Sequence, residues 1–412
     1  MDKRIKILIA PLLGLFIGLI SGCASTSPDN DQSTAWVTTW ATATENIREG
    51  FWMSKGHFPP KPLANDTLRM FMRTSLAGET VRIKLSNRFG KQPVTIKKAH
   101  ISKAVTPDAS AADGEIDLST DTPLKFADSF SVTIPAGGTI YSDPVHFNLP
   151  ALSVVALSLQ YGQIAEKPIT GHRGARTTSF FAKGDAVSNK NMQGAIRKDI
   201  WYTATAIEVI APSSKTIVAL GDSITDGYGT KYNHHTRWTD YLATRLAHNP
   251  KTKHIGIANV GIGGSSSKMG VERYKWDVEN IQGAGYLIIF VGINDIVYGN
   301  NRSAPFVIDN YKKMAKNARE QGLKVYGATI TPMGSNVTKG EKEAVRQQVN
   351  NWIRTTSVEQ GIYDGVFDFD AIVRNPNKPT YLLPAYAVDD LHLNISGYKA
   401  LAEAIDLSLF AQ

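Results

Sequence analysis

The hydrophobic periodicity of the chain changes once, near residue 212, and this change limits the possible folds more than any other feature of the sequence. Before it, short segments alternate apolar and polar residues between turns rich in glycine and proline. Clear examples are residues 67–73, 81–85, 131–134 and 154–159. Period-two alternation of this kind predicts an antiparallel β-sandwich. A last strand at 201–210 closes it, and residues 211–214 form the natural linker.

After residue 215 the pattern becomes an alternation of strands and helices. Compact, mostly apolar segments, typical of strands covered on both faces, occur at 216–220, 254–259, 286–291, 324–330 and 366–369. Helical spacing occurs over 236–248, 305–321, 341–360 and 396–410. This alternation predicts a three-layer α/β domain with a doubly wound parallel sheet of the flavodoxin-like kind. We therefore predict a β-sandwich domain over 36–212 and an α/β domain over 213–412.

The N-terminus has the pattern of a secretory signal. A basic head precedes an apolar run over residues 7–20, and small residues follow it up to Cys23. The run is too short to span a bilayer comfortably. It resembles a bacterial lipoprotein signal, so we expect residues 1–22 to be removed and Cys23 to carry lipid. A plain signal peptide with an incidental cysteine is the alternative.

The segment after this signal is polar and small, and it predicts a flexible tether over residues 23–35. Cys23 is the only cysteine among 412 residues, which excludes a disulfide within the chain. Lipoproteins with Asp after the lipidated cysteine stay at the inner membrane. Ala24 in that position favours outer-membrane attachment, facing the periplasm or the exterior.

The charge of the chain does not indicate a nucleic-acid partner. Its net charge is +8, of which the signal contributes +2, so the remaining chain is only mildly basic. No dense block of lysine and arginine with interleaved aromatic residues occurs in the sequence. The sequence leaves the oligomeric state open.

The heptapeptide Gly-Asp-Ser-Ile-Thr-Asp-Gly at 221–227 directly follows the first predicted strand of the α/β half. Ligands of open α/β sheets bind beyond the carboxyl ends of the strands, where the Ser223 hydroxyl would be well placed for nucleophilic attack. The same heptapeptide also fits an ordinary turn. The elbow Gly-x-Ser-x-Gly of another hydrolase fold is disfavoured, because Thr225 stands where that motif has glycine.

A serine nucleophile needs a base, a carboxylate that orients the base, and donors for an oxyanion. Asp389 and His392 lie three residues apart just before the last predicted helix, so the carboxylate can accept the Nδ1 proton and leave Nε2 for Ser223. The neighbouring Asp390 competes for this role but has less room to turn toward the ring. A surface turn with a solvated histidine is the alternative reading.

Candidate oxyanion donors follow the next two predicted strands. The glycine-rich segment 259–265, with Gly264, can point backbone amides outward, and Asn294 offers a side-chain amide. Each also fits an ordinary loop or cap. The pair His234 and His235 lacks a carboxylate at helical spacing, so neither a metal nor another cofactor is predicted.

Together these four blocks resemble, in content and order, those of the SGNH, or GDSL, hydrolase family. The resemblance covers the C-terminal half. Residues 73–78 and 85–90 are similar to the β domain that precedes the hydrolase in secreted bacterial members, a subfamily associated with xylan-degrading systems and labelled arylesterase or acylhydrolase. Two positions depart from the family pattern: Leu393, where proline is frequent, and Ser265, where nearer relatives have asparagine.

The resemblance implies a role for each residue of the four blocks. Ser223 would be the nucleophile, His392 the general base and then acid, and Asp389 its orienter. The oxyanion hole would consist of the backbone amides of Ser223 and Gly264 and the side chain of Asn294. Asp222 and Asp295 are expected to tie loops together.

The function that the resemblance implies is that of a carboxylic-ester hydrolase working through a serine acyl-enzyme. We expect it to deacetylate a polysaccharide such as xylan or an envelope glycan. The alternatives are a lipase or lysophospholipase-type acylhydrolase and a catalytically silent, glycan-binding surface lipoprotein. Specificity depends on loops and pocket walls; Trp52, Tyr141, His172 and Arg173 are candidates for the cleft and fit the core or the surface equally well.

Overall fold

The structure, a computed structural model, describes residues 35–47, 63–162, 168–299, 303–337 and 340–411. The predicted signal, Cys23 and nearly all of the tether lie outside these residues, as does Trp52. In the described part of the chain, no helix is both long and apolar enough to cross a membrane.

The first half is built from antiparallel strands, as its periodicity predicts. The strands are β1 (Trp36–Ala41), β2 (Glu45–Ile47), β3 (Thr67–Arg73), β4 (Gly78–Ser86), β5 (Val94–Lys103), β6 (Thr122–Pro123), β7 (Val132–Ile134), β8 (Thr139–Tyr141), β9 (Val145–Leu149), β10 (Val154–Tyr161), β11 (Ile169–Arg173), β12 (Ser179–Ala182), β13 (Ile196–Lys198), β14 (Ile200–Tyr202) and β15 (Ala204–Ile210). The predicted strand at 201–210 is divided at Thr203, whose φ is 66°.

These strands form two large sheets and a small one. One large sheet has the order β1-β15-β4-β8, with β9 also paired to β4, and the other has the order β13-β12-β3-β10-β5-β6, with β7 paired to β5. A single apolar core contains inward side chains of both, such as Ile83 and Val209 from the first and Met70 and Leu157 from the second. The sandwich prediction is therefore confirmed. The small sheet, β14-β11-β2, was not predicted.

The second half contains a five-stranded parallel sheet. Its strands are β16 (Lys215–Gly221), β17 (Ile255–Asn259), β18 (Ala284–Phe290), β19 (Lys324–Ala328) and β20 (Gly365–Phe367), and a hairpin follows, formed by β21 (Arg374–Asn375) and β22 (Lys378–Leu382). The order across the sheet is β17-β16-β18-β19-β20. Counted within this half, the order is 2-1-3-4-5, which confirms the flavodoxin-like prediction. The order reverses at β16 and β18, and the crevice beyond the carboxyl ends of these strands is where such folds bind ligands.

Helices and turns connect the parallel strands. The helices are α1 (Ser223–Asp226), α2 (Trp238–His248), α3 (Ser267–Asp277), α4 (Ile293–Val297), α5 (Ala304–Glu320), α6 (Glu341–Arg354), α7 (Thr356–Glu359), α8 (Phe369–Val373) and α9 (Ile395–Glu403). The helix predicted over 341–360 is divided into α6 and α7. The helix predicted over 396–410 ends at Glu403 and is followed by a 3₁₀ turn, Leu407–Phe410.

The helix α3 was missed because its sequence lacks an apolar stripe at helical spacing. Its start does carry a signal, since the Ser266 hydroxyl accepts the Met269 amide as an N-cap. Gly270 lets the helix lie close to α5 and to the sheet, because a Cβ at this position would be 3.0 Å from the Met314 sulfur of α5 and 3.3 Å from Cδ2 of Leu220 in β16.

The two halves are in direct contact along β1 and the first strands of the parallel sheet. The Thr216 hydroxyl donates to the Thr38 carbonyl at 2.7 Å, and the Ile257 amide donates to the Ser75 hydroxyl at 3.0 Å. Small apolar side chains from both halves also pack together at this contact, in a buried cluster of Ala41, Ala206 and Ala258. The sandwich therefore lies beside the sheet that carries the four sequence blocks.

Candidate active site

Ser223 is the first residue of α1, immediately beyond the carboxyl end of β16. Gly221 is required at the strand end, because a Cβ there would overlap the Thr225 side chain and approach the Phe290 carbonyl to 2.8 Å. The Asp222 carboxylate accepts the Ile224 amide at 3.0 Å and caps the short helix. The backbone amide of Ser223 has no partner within this helix, since the first amides of a helix lack a preceding carbonyl.

The histidine of the fourth block faces this serine. Ser223 Oγ lies 3.0 Å from His392 Nε2. On the other side of the ring, His392 Nδ1 lies 2.9 Å from Asp389 Oδ2 and 3.0 Å from Oδ1. Asp389 Oδ1 also accepts the backbone amides of Leu391 and His392, each at 2.8 Å. The carboxylate, the imidazole and the hydroxyl thus form one continuous hydrogen-bonded row.

The environment of Asp389 favours its ionised form. Partial burial acts to raise its pKa, but the hydrogen bonds from the His392 ring and from the Leu391 and His392 amides outweigh burial and hold the pKa below its ordinary value. Asp390 is turned elsewhere, and its carboxylate accepts the Ser335 hydroxyl and the Ser335 amide. Of the two adjacent aspartates, the structure brings Asp389 to the histidine.

The candidate oxyanion donors lie at the ends of the two strands that flank β16. Gly264 follows β17 with a φ of 81°, and no atom lies within 4 Å of a Cβ placed on it. Asn294 belongs to α4, just beyond β18, and its Nδ2 donates one hydrogen to the Ser265 carbonyl at 3.0 Å. The amide nitrogen of asparagine carries two hydrogens, so this bond orients the second. Ser223, Gly264 and Asn294 all line the same cavity.

This cavity has a volume of about 500 Å³ and is open to the surface. Its lining includes the apolar side chains of Ile224, Ile262, Ile293 and Leu391. Its rim carries large side chains with high exposure, among them Tyr228 at 45% and Tyr298 at 61%. The N-terminal half contributes Glu45 and Arg173 to the wall. The cavity therefore includes residues from both halves of the chain.

Asp222 and Asp295 bind loops, as the sequence suggests. Asp295 accepts the amide of Ser267 at 2.6 Å and its hydroxyl at 2.7 Å, which ties α4 to the start of α3. Burial, with the nearby Asp295 carboxylate, raises the pKa of Asp222 to about 7. In the part of the chain that the structure describes, no group of three or more His, Cys, Asp and Glu side chains is placed to hold a metal ion.

Two features of the site were missed from the sequence. The Tyr228 ring packs against His392 with a centroid distance of 4.2 Å; only its closeness to Ser223 in the chain could have indicated this. The pair of Glu45 and Arg173 has no local signal, because 128 residues separate its members.

The four candidates for the cleft have different locations. Arg173 lines the cavity. His172 is buried and bonds to Asp226, and Tyr141 lies against the guanidinium of Arg82 in the first large sheet. Trp52 is outside the described residues.

A hydroxyl, an imidazole and a carboxylate in this order, at the switch point of a doubly wound sheet, are the arrangement of a serine hydrolase. Residues 219–400 match the model of the GDSL-like lipase/acylhydrolase family. Residues 219–400 are thus the part of the chain that matches this family, and carboxylic-ester hydrolysis is the activity that the family supports. The resemblance found in the sequence is confirmed. No curated protein matches the chain.

Several solved structures are similar to the C-terminal half. A GDSL-like lipase from Bacteroides thetaiotaomicron is 22% identical, with 47% of this chain and 87% of that chain covered and a TM-score of 0.37. A member of the lipolytic protein G-D-S-L family from Veillonella parvula is 20% identical, covering 46% and 96%, with a TM-score of 0.35. A catalytic mutant of an acetylxylan esterase from Geobacillus stearothermophilus is 19% identical, covering 47% and 92%, with a TM-score of 0.39.

Proposed function

We propose that the protein is a serine esterase that removes acetyl or other short acyl groups from a polysaccharide, such as xylan or an envelope glycan. The observation that carries the proposal is the hydrogen-bonded row in which Ser223 Oγ lies 3.0 Å from His392 Nε2 and His392 Nδ1 lies 2.9 Å from Asp389. This row is what attack of a hydroxyl on an ester carbonyl requires.

The reaction has two acyl-transfer steps. In the first, His392 Nε2 accepts the Ser223 proton as Oγ attacks the carbonyl carbon, and the imidazolium then donates this proton to the departing sugar oxygen. In the second, His392 deprotonates a water molecule that attacks the acyl-serine, and the proton returns to Ser223 as the acid leaves. Asp389 orients the ring and stabilises its positive charge in both steps.

Charge that develops on the carbonyl oxygen needs donors already in place. We assign this role to the backbone amides of Ser223 and Gly264 and to the second Nδ2 hydrogen of Asn294. The first amides of a helix carry partial positive charge, and the bond from Asn294 to the Ser265 carbonyl limits rotation of its side chain. Loss of one such donor lowers kcat by about 10²–10³-fold.

The rim of the cavity supports a carbohydrate as the alcohol part of the ester. The exposed rings of Tyr228 and Tyr298 offer flat apolar faces with a polar edge, which suits a sugar ring with its mixed C–H and O–H surface. An opening at the surface also leaves room for an alcohol part larger than the cavity itself.

The apolar wall favours a second candidate, a lipase or lysophospholipase-type acylhydrolase. Ile262, Ile293 and Met269 line the cavity beside Ser223, and an acyl chain would gain free energy by burying its methylene groups against them. Hydrolysis of p-nitrophenyl esters from acetate to palmitate separates the candidates. The glycan esterase is fastest with acetate, whereas the lipid hydrolase is fastest with the longer chains.

We further propose that Cys23 carries lipid and holds the enzyme at the outer membrane. The support is the signal-like sequence before Cys23 and the absence of Asp at position 24. Replacement of Cys23 by Ser should move the protein from the membrane fraction to the soluble fraction of the producing bacterium and stop incorporation of labelled palmitate. Unchanged membrane attachment and labelling would contradict the proposal.

The decisive experiment on catalysis replaces Ser223 by Ala. The variant should lose hydrolysis of p-nitrophenyl acetate and release of acetate from acetylated xylan, with an unchanged circular dichroism spectrum. Asn294→Ala, in contrast, should keep measurable activity at a kcat reduced by about 10²–10³-fold. Full activity of Ser223→Ala would overturn the proposed mechanism. A wild-type protein inactive on every ester tested would overturn the esterase proposal and favour a silent binding protein.

A further inference from the structure

The N-terminal half places an arginine against the glycine-rich segment of the catalytic cavity. Arg173 is the last residue of β11, and Glu45 is the first residue of the neighbouring strand β2. Arg173 Nε donates to Glu45 Oε1 at 2.9 Å, and the Arg173 backbone amide donates to Oε2 at 2.9 Å. Glu45 is buried. The carboxylate therefore fixes both the backbone and the side chain of Arg173.

The same guanidinium also reaches the other half of the chain through Nη2, which contacts Glu45 Oε1 at 2.8 Å as well. Arg173 Nη2 donates to the Gly263 carbonyl oxygen at 3.1 Å. This carbonyl and the amide of Gly264 belong to the same peptide group. Because a trans peptide is planar, its C=O and N–H point in opposite directions. A bond that holds the Gly263 oxygen toward Arg173 therefore also sets the direction of the Gly264 N–H.

The peptide between Gly263 and Gly264 has more rotational freedom than a peptide between residues that carry a Cβ, so a contact from outside the segment is needed to fix its orientation. It joins two glycines, and Gly264 has a φ of 81°. Glycine adopts positive and negative φ with similar ease, so rotation of the peptide plane between two glycines meets little steric resistance. A Cβ on Gly264 would meet nothing within 4 Å, and the bond from the Ser265 amide to the Ile262 carbonyl at 3.0 Å joins the ends of this turn without bonding its central peptide.

We propose that Arg173 is a positioning residue for the oxyanion hole, supplied by the β-sandwich half to the hydrolase half. It holds the Gly263–Gly264 peptide with the Gly264 N–H turned toward the developing oxyanion. It also polarises the peptide, since a charge-assisted bond to the carbonyl makes the N–H of the same group a stronger donor. The inference rests on the proposed role of Gly264 as an oxyanion donor.

The chemistry of the pair suits this role. Arginine presents several donors in one rigid plane. Because Nε and Nη2 both contact Glu45, the orientation of the plane is fixed, and with it the direction of the second Nη2 hydrogen toward Gly263. Lysine, a flexible point charge, could bind one partner without orienting the other. The role of the β-sandwich is then to complete the catalytic site, in addition to any contact with the polymer.

The test compares Arg173→Met with the wild type on p-nitrophenyl acetate, an uncharged substrate that makes no use of a sugar subsite. We expect kcat to fall about 10–100-fold, which is less than the loss caused by complete removal of an oxyanion donor. The KM should change less than about threefold. Low concentrations of guanidinium ion should restore part of the lost kcat in this variant and have no such effect on the wild type. Arg173→Lys and Glu45→Gln should show intermediate losses of kcat.

A matched control comes from the same half of the chain. Arg82 forms a similar pair with Glu208, with Nε donating to the carboxylate at 2.7 Å, but it lies in the first large sheet between Trp36 and Tyr141. Arg82→Met should lower the thermal unfolding temperature without changing kcat. If Arg173→Met does not fold, the comparison of Glu45→Gln with Arg82→Met carries the same test, because the amide introduced by Glu45→Gln keeps one oxygen that can accept from Arg173.

The outcomes separate this inference from the proposed function. Unchanged kcat in folded Arg173→Met, together with an inactive Ser223→Ala, would overturn the positioning role and leave the serine mechanism intact. A raised KM at constant kcat would also overturn it and make Arg173 a substrate-binding residue. An active Ser223→Ala would instead overturn the proposed function, and this inference with it.

Discussion

At the scale of single residues, the site depends on which of two adjacent carboxylates meets His392. The sequence favours Asp389 on grounds of chain geometry, and the structure has Asp389 at the ring and Asp390 bonded to Ser335. Which aspartate contacts His392 is partly predictable from the sequence, because the aspartates and the histidine lie within one short loop. Arg173 was one of four candidates for the cleft, but its contacts were not predictable in the same way, since its partners Glu45 and Gly263 are far away in the sequence.

The two aspartates offer a matched test of the proposed triad. Asp389→Asn should lower kcat for p-nitrophenyl acetate on the order of 10²–10⁴-fold, because the amide no longer stabilises the imidazolium and can bind the wrong tautomer of His392. Asp390→Asn should leave kcat within about twofold of the wild type. Steady-state kinetics of both variants measures this, and equal losses in the two would contradict the assignment of Asp389.

At the scale of elements, the helix α9 holds the histidine loop in place. Asn394 is its N-cap: the side-chain oxygen accepts the Gly397 amide at 3.0 Å, and Nδ2 donates to the Ala385 carbonyl at 2.9 Å. The residue thus joins the start of α9 to the turn Pro384–Tyr386 on the other side of the loop. These two bonds act together with the backbone bonds from the Asn394 amide to the Tyr386 carbonyl and from the Val388 amide to the His392 carbonyl, which also hold the loop.

Replacement of Asn394 by Ala should lower the free energy of unfolding by about 1 kcal/mol, the usual effect of removing an N-cap. It should also lower kcat, because the loop that carries His392 loses its attachment to Ala385. Urea unfolding and esterase kinetics provide the two measurements. Asn394→Asp is the control, since aspartate keeps the cap and loses only the donor: its stability should stay near that of the wild type while its kcat falls with that of the alanine variant.

The elements themselves were largely predictable from local pattern. The five parallel strands and the order in which they follow one another agree with the periodicity after residue 215, because apolar segments of that length bury both faces in an α/β sheet. The helix α3 and the break between α6 and α7 were not predictable, since α3 lacks an apolar stripe and α6 ends without a glycine or proline. Tertiary packing decides these boundaries.

At the scale of the whole molecule, Asp226 joins the two halves. It is the last residue of α1 and it is buried, with its carboxylate bound to His172 Nε2 and to an Arg176 nitrogen, both at 3.0 Å. His172 Nδ1 in turn faces the Ala43 carbonyl at 3.0 Å. Both ring nitrogens of His172 thus lie within hydrogen-bond distance of an oxygen, one in each half of the chain. Although burial acts to raise the pKa of Asp226, Arg176 and His172 hold it below its ordinary value.

Asp226→Asn should destabilise the protein by about 3–5 kcal/mol at neutral pH, because it leaves the largely buried Arg176 guanidinium without its counterion. A carboxylate with a lowered pKa stabilises the folded state above its unfolded pKa of about 4, and this contribution is lost as the pH falls through the folded value. The difference in free energy of unfolding between wild type and variant should therefore be largest above about pH 5 and shrink on acidification. Urea unfolding of both proteins at several pH values measures this difference in free energy of unfolding.

The control for this prediction is a buried aspartate within one half. Asp370 binds Arg346 and Arg354 inside the α/β domain. In calorimetry, we expect the wild type to unfold in one transition, Asp370→Asn to do so at a lower temperature, and Asp226→Asn to separate the two halves into two transitions. A single transition in Asp226→Asn with unchanged stability would show that Asp226 does not couple them.

The sequence by itself determined the division into a β-sandwich and a doubly wound α/β sheet, and the order of the four blocks, three of which lie at strand ends of that sheet. Periodicity and turn residues are local properties, and parallel strands bring their carboxyl ends to one edge whatever the loops do. Only the tertiary structure decided that β11 of the sandwich lies against the cavity, with Arg173 on the Gly263 carbonyl and His172 on Asp226. These contacts join residues 54 to 90 positions apart, and no local pattern encodes them, because they depend on how two separately patterned halves pack together.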